Sequence, residues 1–466
     1  MIFNSDIFLL FFSVVTLLYW LVRNNQGHRD WLILVSSFIF YGTWDWRFLG
    51  LLVMTGGIDF LSAYKISLSH DPTVRKRWLM LSIFSNLGTL GFFKYAGFFV
   101  ESAFHVLEVL GFGVGRPVLA IVLPAGISFY TFQALSYTLD VYRGQIEVER
   151  NPVKYFAFLT FFPQLVAGPI ERASFLLPQF REKRCVNETM VLRGVWFILW
   201  GFFLKVVIAD YFAPLVDMVF GANHLGGAVN IWGTLAFGGQ IYGDFAGYSL
   251  IAIGLANTMG FELSKNFSHP YLASNVQEFW RRWHQTLSTW FRDYLYIPLG
   301  GDRLGSSRTF LNIVITFVLA GLWHGANWTF ILWGLCHGLA LGCYRLWRTS
   351  KISSVVQIPN PLSWAMTMVV VGVGWLFFRA TSISHAWAMI RSVCRDEAPS
   401  WSGDYAIAVS FGLFIVLIYD VFNKRFTWER VSAWHWLTRV FVKAFLLTFI
   451  VARWGKEPPS FIYFQF

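Results

Sequence analysis

The sequence contains few charged residues for its length. Lys, Arg, Asp and Glu make up 14% of its 466 residues, whereas they make up about 25% of an ordinary soluble domain. Hydrophobic residues reach 56% and aromatic residues 19%. A soluble globule of this size could not bury so much apolar surface. The composition therefore excludes disordered, collagenous and coiled-coil proteins and a typical cytosolic enzyme, and it indicates a polytopic membrane protein.

Cysteine is also scarce, with four residues in the whole chain. None of them forms a Cys-x-x-Cys pair, and Cys336 and Cys343 lie seven positions apart inside one apolar run. They are interpreted as small hydrophobic residues. The sequence predicts neither a zinc site nor a disulfide framework.

Acidic residues are outnumbered by basic ones, and the net charge is +11. The basic residues cluster in short stretches between apolar runs, at 75–77, 181–184 and 423–425. This pattern is typical of cytoplasmic loops that obey the positive-inside rule and face anionic headgroups. It argues against a nucleic-acid partner.

The N-terminus lacks the marks of a cleaved signal peptide. Residues 1–4 carry no basic side chain, and no small-residue cleavage site follows the apolar run Ile7–Val22. We expect this run to be an uncleaved first transmembrane helix. Because Arg23 and Arg29 follow it, the next loop is predicted to lie inside and the N-terminus outside.

Apolar runs recur along the whole chain, and several are shorter than the ~20 residues that a straight transmembrane helix requires. Two of them are broken, by Leu-Pro-Ala-Gly at 123–126 and by Val-Ala-Gly-Pro at 166–169. Such breaks are typical of re-entrant or half-spanning helices, which are tolerated when buried in protein or lining a wet cavity. We predict about ten to twelve spans and one membrane domain over residues 1–466, without a linker or an internal repeat.

Residues 274–303 do not fit the membrane pattern. Their apolar residues recur at helical spacing, while Glu278, Gln285 and several arginines fall on the opposite face. The spacing predicts one amphipathic helix that ends near Pro298, with His284 on the boundary between the faces. An interfacial helix with its Trp and Arg residues at headgroup level also explains the pattern.

His324 is flanked on both sides by membrane-type sequence. An ionisable residue at that depth is a functional candidate by default, and Gly321 and Gly325 beside it permit close backbone approach. The alternative is a neutral histidine that hydrogen-bonds a neighbouring helix, and for His337 in the next run we favour this structural role. A neutral imidazole suits a general base, since its unperturbed pKa is near 6.5 and burial lowers it.

The chain contains no Gly-x-Ser-x-Gly elbow, phosphate-binding loop or cluster of metal ligands. This favours direct transfer from an activated donor such as a thioester over hydrolysis through a serine nucleophile.

Several motifs occur in an order that resembles one family of membrane enzymes. Trp-Arg-Arg-Trp-His at 280–284 precedes an apolar run that leads to Trp-His-Gly-Ala at 323–326. Related strings lie at 123–133, 161–172, 244–249, 292–301 and 461–466. Together they resemble the membrane-bound O-acyltransferase (MBOAT) family. The nearest branch is the bacterial one that acetylates alginate and other extracytoplasmic glycans, which is related to the lipoteichoic-acid D-alanylation protein.

The resemblance implies an all-α polytopic fold: a ring of about 10–12 transmembrane helices, with short re-entrant and amphipathic helices around a central funnel or tunnel. His324 matches the essential histidine of the family and His284 its second motif histidine, so both are expected to be catalytic. Asn327 is a candidate oxyanion donor. Arg281, Arg282 and Arg292 would contact a phosphorylated donor or, equally, lipid headgroups. The further candidates for substrate or donor binding are Trp323, Asp293, Gln133, Asp244 and Tyr248.

The expected activity is transfer of an acyl group, most simply acetyl, from a cytosolic thioester such as acetyl-coenzyme A to a hydroxyl of an extracytoplasmic polysaccharide. A periplasmic or extracellular acyltransferase would complete the transfer. We expect membrane lipid around the chain, no tightly bound cofactor, no metal, and a multi-pass location in the bacterial inner membrane.

Other activities fit the same chain. D-alanyl transfer to a cell-wall polymer and O-acylation of a lipid or protein keep the chemistry, whereas a glycan or lipid flippase belongs to another class. A flippase predicts inverted repeats and paired membrane carboxylates. The sequence shows no repeat, and Asp59, Asp140, Asp210 and Asp244 are scattered along it.

Overall fold

The described part of the chain consists of helices joined by turns and short loops, without a β-strand. The computed structural model describes residues 1–113, 121–166, 168–184, 186–222, 226–351, 353, 358–393, 402–455 and 461–462. Cys185 and Cys394 lie outside the described residues. The predicted all-α class is confirmed.

The chain divides into two compact units, and each combines two separate stretches of sequence. The first comprises Met1–Ile198 with Ile251–Ser264, and the second comprises Leu199–Leu250 with Lys265–Phe466. The single membrane domain stays a prediction.

The first unit begins with long helices and continues with shorter ones. The helices are α1 (Asp6–Val22), α2 (Gln26–Asp45), α3 (Arg47–Leu68), α4 (Pro72–Leu90) with a π turn (Gly91–Tyr95), α5 (Ala96–Val109), α6 (Ile127–Tyr142), α7 (Pro152–Leu159), α8 (Phe162–Leu165), α9 (Ala173–Arg181) and the first part of α10 (Glu188–Phe202). The predicted break at 123–126 is confirmed, since α6 begins after Gly126 in the left-handed conformation. At the second, α8 ends at Leu165, and Ala167 lies outside the described residues.

Buried polar side chains connect the helices of this unit. Asp59 of α3 accepts a hydrogen bond from Asn86 of α4 at 2.8 Å. Arg29 is fully buried in α2, pairs with Asp30 at 2.8 Å and donates to the carbonyl of Phe180. The prediction that Arg29 belongs to the loop after the first helix was wrong, because α2 already begins at Gln26.

The second unit contains the histidines singled out from the sequence. Its helices are the end of α10 with a π turn (Phe203–Ala209), α11 (Asp210–Phe220), the larger part of α12 (Gly227–Thr258), a 3-10 turn (Pro270–Leu272), α13 (Val276–Arg282), α14 (Gln285–Phe291) with a π turn (Arg292–Tyr296), α15 (Ser306–His324), α16 (Trp328–Thr349), α17 (Asn360–Arg379), α18 (Ile383–Ser392), α19 (Ser402–Arg425), α20 (Trp428–Ser432) and α21 (Trp436–Arg453).

Five helical stretches in the described residues are long and apolar enough to cross a membrane. They are Arg47–Leu68, Glu188–Phe220, Ser306–His324, Asn360–Arg379 and Ser402–Arg425. Many of their large apolar side chains are exposed, as expected where lipid is the solvent. A multi-pass membrane protein is thereby confirmed, and the number of ten to twelve spans stays a prediction.

Candidate active site

His324 is the last residue of α15 and is walled by aromatic rings. Its side chain is buried, and its ring centroid lies 5.0 Å from that of Trp323, 4.9 Å from that of Trp333 and 5.2 Å from that of Phe378. All three rings meet the imidazole edge to face. The helix ends here because Gly325 adopts an extended conformation, so the imidazole lies where the regular backbone stops.

Glycine allows α15 and α16 to approach closely enough to build this wall. A Cβ atom added to Gly334 would lie 2.2 Å from the carbonyl oxygen of Phe317, and one added to Gly321 would lie 2.1 Å from that of Phe330. Real side chains do not tolerate such distances to backbone atoms. The close packing of small residues is the usual way for membrane helices to associate, and here it brings Trp333 against His324.

The prediction of one continuous amphipathic helix after residue 274 was wrong. The helix α13 ends at Arg282, and α14 begins at Gln285. Trp283 has an extended backbone and His284 is left-handed, with φ of 42°. The helical spacing of the apolar residues did not reveal this break because each short helix keeps its own apolar face.

The cause of the break is a neighbouring segment of backbone. The N–H of Ser268 donates to the carbonyl of Arg282 at 2.9 Å, and the N–H of Gln285 donates to the carbonyl of Asn266 at 2.9 Å. These two bonds replace the helical partners that the residues around position 283 would otherwise have. Tertiary hydrogen bonds therefore override the local helical pattern.

His284 is fully buried rather than lying at the boundary of an amphipathic helix. Its ring meets that of Phe245 edge to face at 4.6 Å, and its centroid lies 6.2 Å from that of Trp323. The Nδ1 atom lies 3.0 Å from Oδ1 of Asn266. Burial lowers the pKa of His284 to about 3, so the ring is neutral at physiological pH.

His337 of α16 is fully buried among aromatic rings. Its centroid lies 5.0 Å from that of Trp280 and 5.1 Å from that of Trp333. Neither ring nitrogen has a hydrogen-bond partner among the described residues. The predicted hydrogen bond from His337 to a neighbouring helix is therefore absent from the described part, and the ring instead packs behind the aromatic wall of His324.

The second unit contains a buried lysine that was not among the residues predicted from the sequence. Nζ of Lys205, in the π turn after α10, lies 2.8 Å from Oδ1 of Asp210 and 3.0 Å from Oδ1 of Asp244. Tyr248 presents its ring to the same ammonium at 6.0 Å. The candidates Asp244 and Tyr248 therefore belong to one ionic cluster. Asp210 and Asp244, which are far apart in the sequence, share its lysine.

A lysine inside the apolar run Val195–Phe220 was the available signal, since membrane lysines almost always have a partner. The other carboxylate oxygen of Asp244, Oδ2, accepts a hydrogen bond from the backbone N–H of Ile462 at 2.6 Å. The ring of Phe461 packs on that of Tyr248, with 4.4 Å between the centroids. The Phe461–Ile462 segment is thus anchored on this cluster.

The three candidate arginines within residues 274–303 occupy different environments. Arg282 pairs with Glu278 and also donates to the carbonyl of His269 at 3.2 Å. Arg292 pairs with Asp293 at 2.7 Å and keeps a largely exposed side chain. Arg281 is exposed. Arg281 and Arg292 thus remain accessible to an anionic group, whereas Arg282 helps to hold the loop around His269.

Two further candidates have structural partners. Asn327 is the N-cap of α16, accepts from the N–H of Thr329 at 3.0 Å and donates to the carbonyl of Thr381 at 3.2 Å. Gln133 belongs to the first unit, where it donates to the carbonyl of Phe158 at 3.1 Å and accepts from Gln164 at 3.1 Å. Asn327 was predictable as a cap, since Asn before an apolar helix is a common N-terminal signal.

The helical membrane fold and the two buried histidines, His284 and His324, agree with the family that the motifs indicated. Both histidines contact the ring of Trp323. Residues 144–382 match the membrane-bound O-acyltransferase family. Relatives of at least 30% identity cover 84% of the chain, and the chain belongs to this family. It is a membrane O-acyltransferase.

Three proteins with similar sequences show which members of the family resemble this chain. The chain is 40% identical over 396 residues to a probable alginate O-acetylase of Pseudomonas aeruginosa, which covers 84% of this chain and 75% of that protein. It is 35% identical over 425 residues to a peptidoglycan O-acetyltransferase of Helicobacter pylori, over 84% of this chain and 80% of the relative. A teichoic acid D-alanyltransferase of Streptococcus thermophilus is 31% identical over 240 residues, which are 48% of this chain and 58% of that protein.

Proposed function

We propose that this enzyme transfers an acetyl group from acetyl-coenzyme A to a hydroxyl of an extracytoplasmic polysaccharide, in the bacterial inner membrane. The names of the relatives that cover 84% of the chain support acetyl as the group and a polysaccharide as the acceptor. The D-alanyltransferase relative covers 48%, so D-alanyl transfer is the second candidate.

His324 acts as the general base in this proposal. Its imidazole takes the proton from the acceptor hydroxyl while the hydroxyl oxygen attacks the thioester carbonyl carbon. The carbon–sulfur bond then breaks, and the proton passes to the departing thiolate, so that the products are the ester and the free thiol. The observation that carries the proposal is the position of this buried histidine at the end of α15, inside a wall of three aromatic rings.

The aromatic wall supports this chemistry in two ways. Trp333 and Phe378 restrict water at the imidazole, so that the thioester is transferred rather than hydrolysed. Their edge-to-face contacts also limit ring rotation and hold the base in one orientation. Arg281 and Arg292 are exposed cations that would attract the phosphates of the donor. In this proposal the acceptor hydroxyl belongs either to the polysaccharide or to a periplasmic acyltransferase that passes the acetyl group on to the polysaccharide.

The test is to feed radiolabelled acetyl-coenzyme A to membranes that contain the full chain and then to identify the labelled product. We expect label in an alkali-labile ester on polysaccharide, and roughly 10²–10⁴-fold slower labelling with His324→Ala, as for the loss of one general base. His385→Ala is the matched control, because His385 is a partly exposed histidine on α18. Wild-type labelling by folded His324→Ala protein contradicts the mechanism. Label that stays on lipid or protein and never reaches polysaccharide contradicts the acceptor.

A further inference from the structure

The side-chain amide of Asn266 connects three polar groups, which belong to His284, Thr286 and Ser249. Its Oδ1 lies 3.0 Å from Nδ1 of His284 and accepts from the hydroxyl of Thr286 at 3.0 Å. Its Nδ2 donates to the hydroxyl of Ser249 at 3.1 Å. The side chains of Asn266 and His284 are both buried, so each bond lies in a medium where an unmade hydrogen bond is costly.

The identity of the amide atom that faces the histidine follows from the backbone. The N–H of Thr286 points to the same Asn266 atom at 3.5 Å. A main-chain N–H can only donate, so this atom is the oxygen rather than the nitrogen of the amide. An oxygen without a proton accepts from Nδ1 of His284, and Nδ1 therefore carries the proton. In a neutral imidazole the other nitrogen, Nε2, then has the lone pair.

The backbone holds the ring in this position. His284 is one of two non-glycine residues with positive φ in the described part of the chain. Such a conformation is uncommon for a residue with a Cβ atom and persists where the surroundings enforce it. The bond from the N–H of Gln285 to the carbonyl of Asn266 enforces it here. Asn266 therefore binds the histidine segment through its main chain as well as its side chain.

The second ring nitrogen lacks a hydrogen-bond partner in the described part of the chain. Nε2 of His284 is buried and has no hydrogen-bond partner among the described residues. The three partners of the ring named above for the described residues, Phe245 of α12, Trp323 of α15 and Asn266, are uncharged. The nearest charged side chain along the chain, Arg282, pairs with Glu278. Burying an acceptor without a hydrogen bond is unfavourable, and a hydrogen bond from a donor outside the chain would offset that cost.

From this geometry we infer that Asn266 is a positioning residue, which holds His284 in the tautomer protonated on Nδ1 so that Nε2 accepts a hydrogen bond from substrate. The inference rests on the proposed function, in which His324 removes the proton, and it adds that His284 touches a substrate. Nε2 then binds an O–H or N–H group other than the hydroxyl that attacks the thioester. Polysaccharides offer neighbouring hydroxyls, and the pantetheine arm of coenzyme A offers amide N–H groups. In this tautomer His284 donates no hydrogen bond to the oxyanion.

Two substitutions at Asn266 separate positioning from simple packing. Asn266→Leu removes the acceptor, and kcat/KM is expected to fall roughly 10- to 100-fold, as for the loss of one buried hydrogen bond that orders the site. Asn266→Asp keeps an acceptor for Nδ1 and is expected to restore most of that loss at neutral pH. A residue that only filled space would instead tolerate leucine at least as well as a buried carboxylate.

For Asn266→Asp we also expect a change in the pH dependence of kcat/KM. A carboxylate beside the imidazole stabilises its protonated form, so the pKa of the histidine rises. Protonation then occupies Nε2 at acidic pH, and the acidic limb of kcat/KM moves to higher pH than in the wild type. Ser249→Ala is the matched control, because it removes the bond on the far side of the same amide. It is expected to keep the wild-type pH profile.

The measurement uses the full chain in membranes, radiolabelled acetyl-coenzyme A as the probe, and rates normalised to monodisperse protein. Leucine and aspartate variants of equal activity overturn the inference, and so does a wild-type acidic limb in Asn266→Asp. Wild-type activity of His284→Ala with an inactive His324→Ala also overturns it, but leaves the proposed function standing. Wild-type activity of His324→Ala contradicts the proposed base instead, whatever the Asn266 variants show.

Discussion

The indole ring of Trp323 contacts the imidazole ring of His284, with 6.2 Å between the two centroids. The same indole lies 5.0 Å from the centroid of its neighbour His324. One tryptophan therefore touches both histidines, although His324 ends α15 and His284 lies between α13 and α14. Through this shared contact, the motifs at 280–284 and 323–326 belong to one candidate site.

A substitution of Trp323 is expected to slow the reaction. Trp323→Ala removes the ring between the histidines, and we expect roughly 10²-fold slower acyl transfer, since small displacements of catalytic groups have effects of that size. Trp328→Ala is the matched control, because Trp328 is a 51% exposed tryptophan at the beginning of α16. Initial rates per mole of folded protein provide the measurement. Equal rates for the two variants would show that the ring is not needed to place the histidines.

The positions of the long helices could be predicted because hydropathy is a local property. The apolar run at 229–259 corresponds to α12 (Gly227–Thr258), and the run at 195–220 corresponds to α10, its π turn and α11. The His324 motif was found for the same reason, since a histidine in an apolar run is conspicuous in the sequence alone.

The features that were missed depend on contacts between distant residues. The break at His284 requires a hydrogen bond to the carbonyl of Asn266 and one from the N–H of Ser268, and the apolar spacing of 274–303 indicates neither of them. The pairing of Lys205 with Asp244 joins positions 39 residues apart on two helices. Periodicity describes one helix at a time, so it predicted neither relationship.

The packing of α15 against α16 gives a prediction about stability. A methyl group at position 334 would meet the backbone oxygen of Phe317 at 2.2 Å, whereas one at Gly372 of α17 would meet nothing within 4 Å. We expect Gly334→Ala to lower the free energy of unfolding by about 1–3 kcal/mol, as overpacking does, and Gly372→Ala to change it little. The midpoint of thermal aggregation in detergent measures both. A Gly334→Ala protein as stable as Gly372→Ala would mean that the helices can separate without loss.

The cluster around Lys205 gives the last prediction. Lys205→Met leaves Asp210 and Asp244 without their shared cation, and we expect it to lower the free energy of unfolding by about 3–5 kcal/mol, the usual effect of breaking a buried ion pair from one side. Adding Asp244→Asn to this variant removes one of the two carboxylates, so the double variant should be more stable than Lys205→Met alone. Thermal unfolding of the two single variants and the double variant in detergent provides a double-mutant cycle. Additive effects of the two substitutions would contradict the coupling, because independent groups do not compensate for each other's loss.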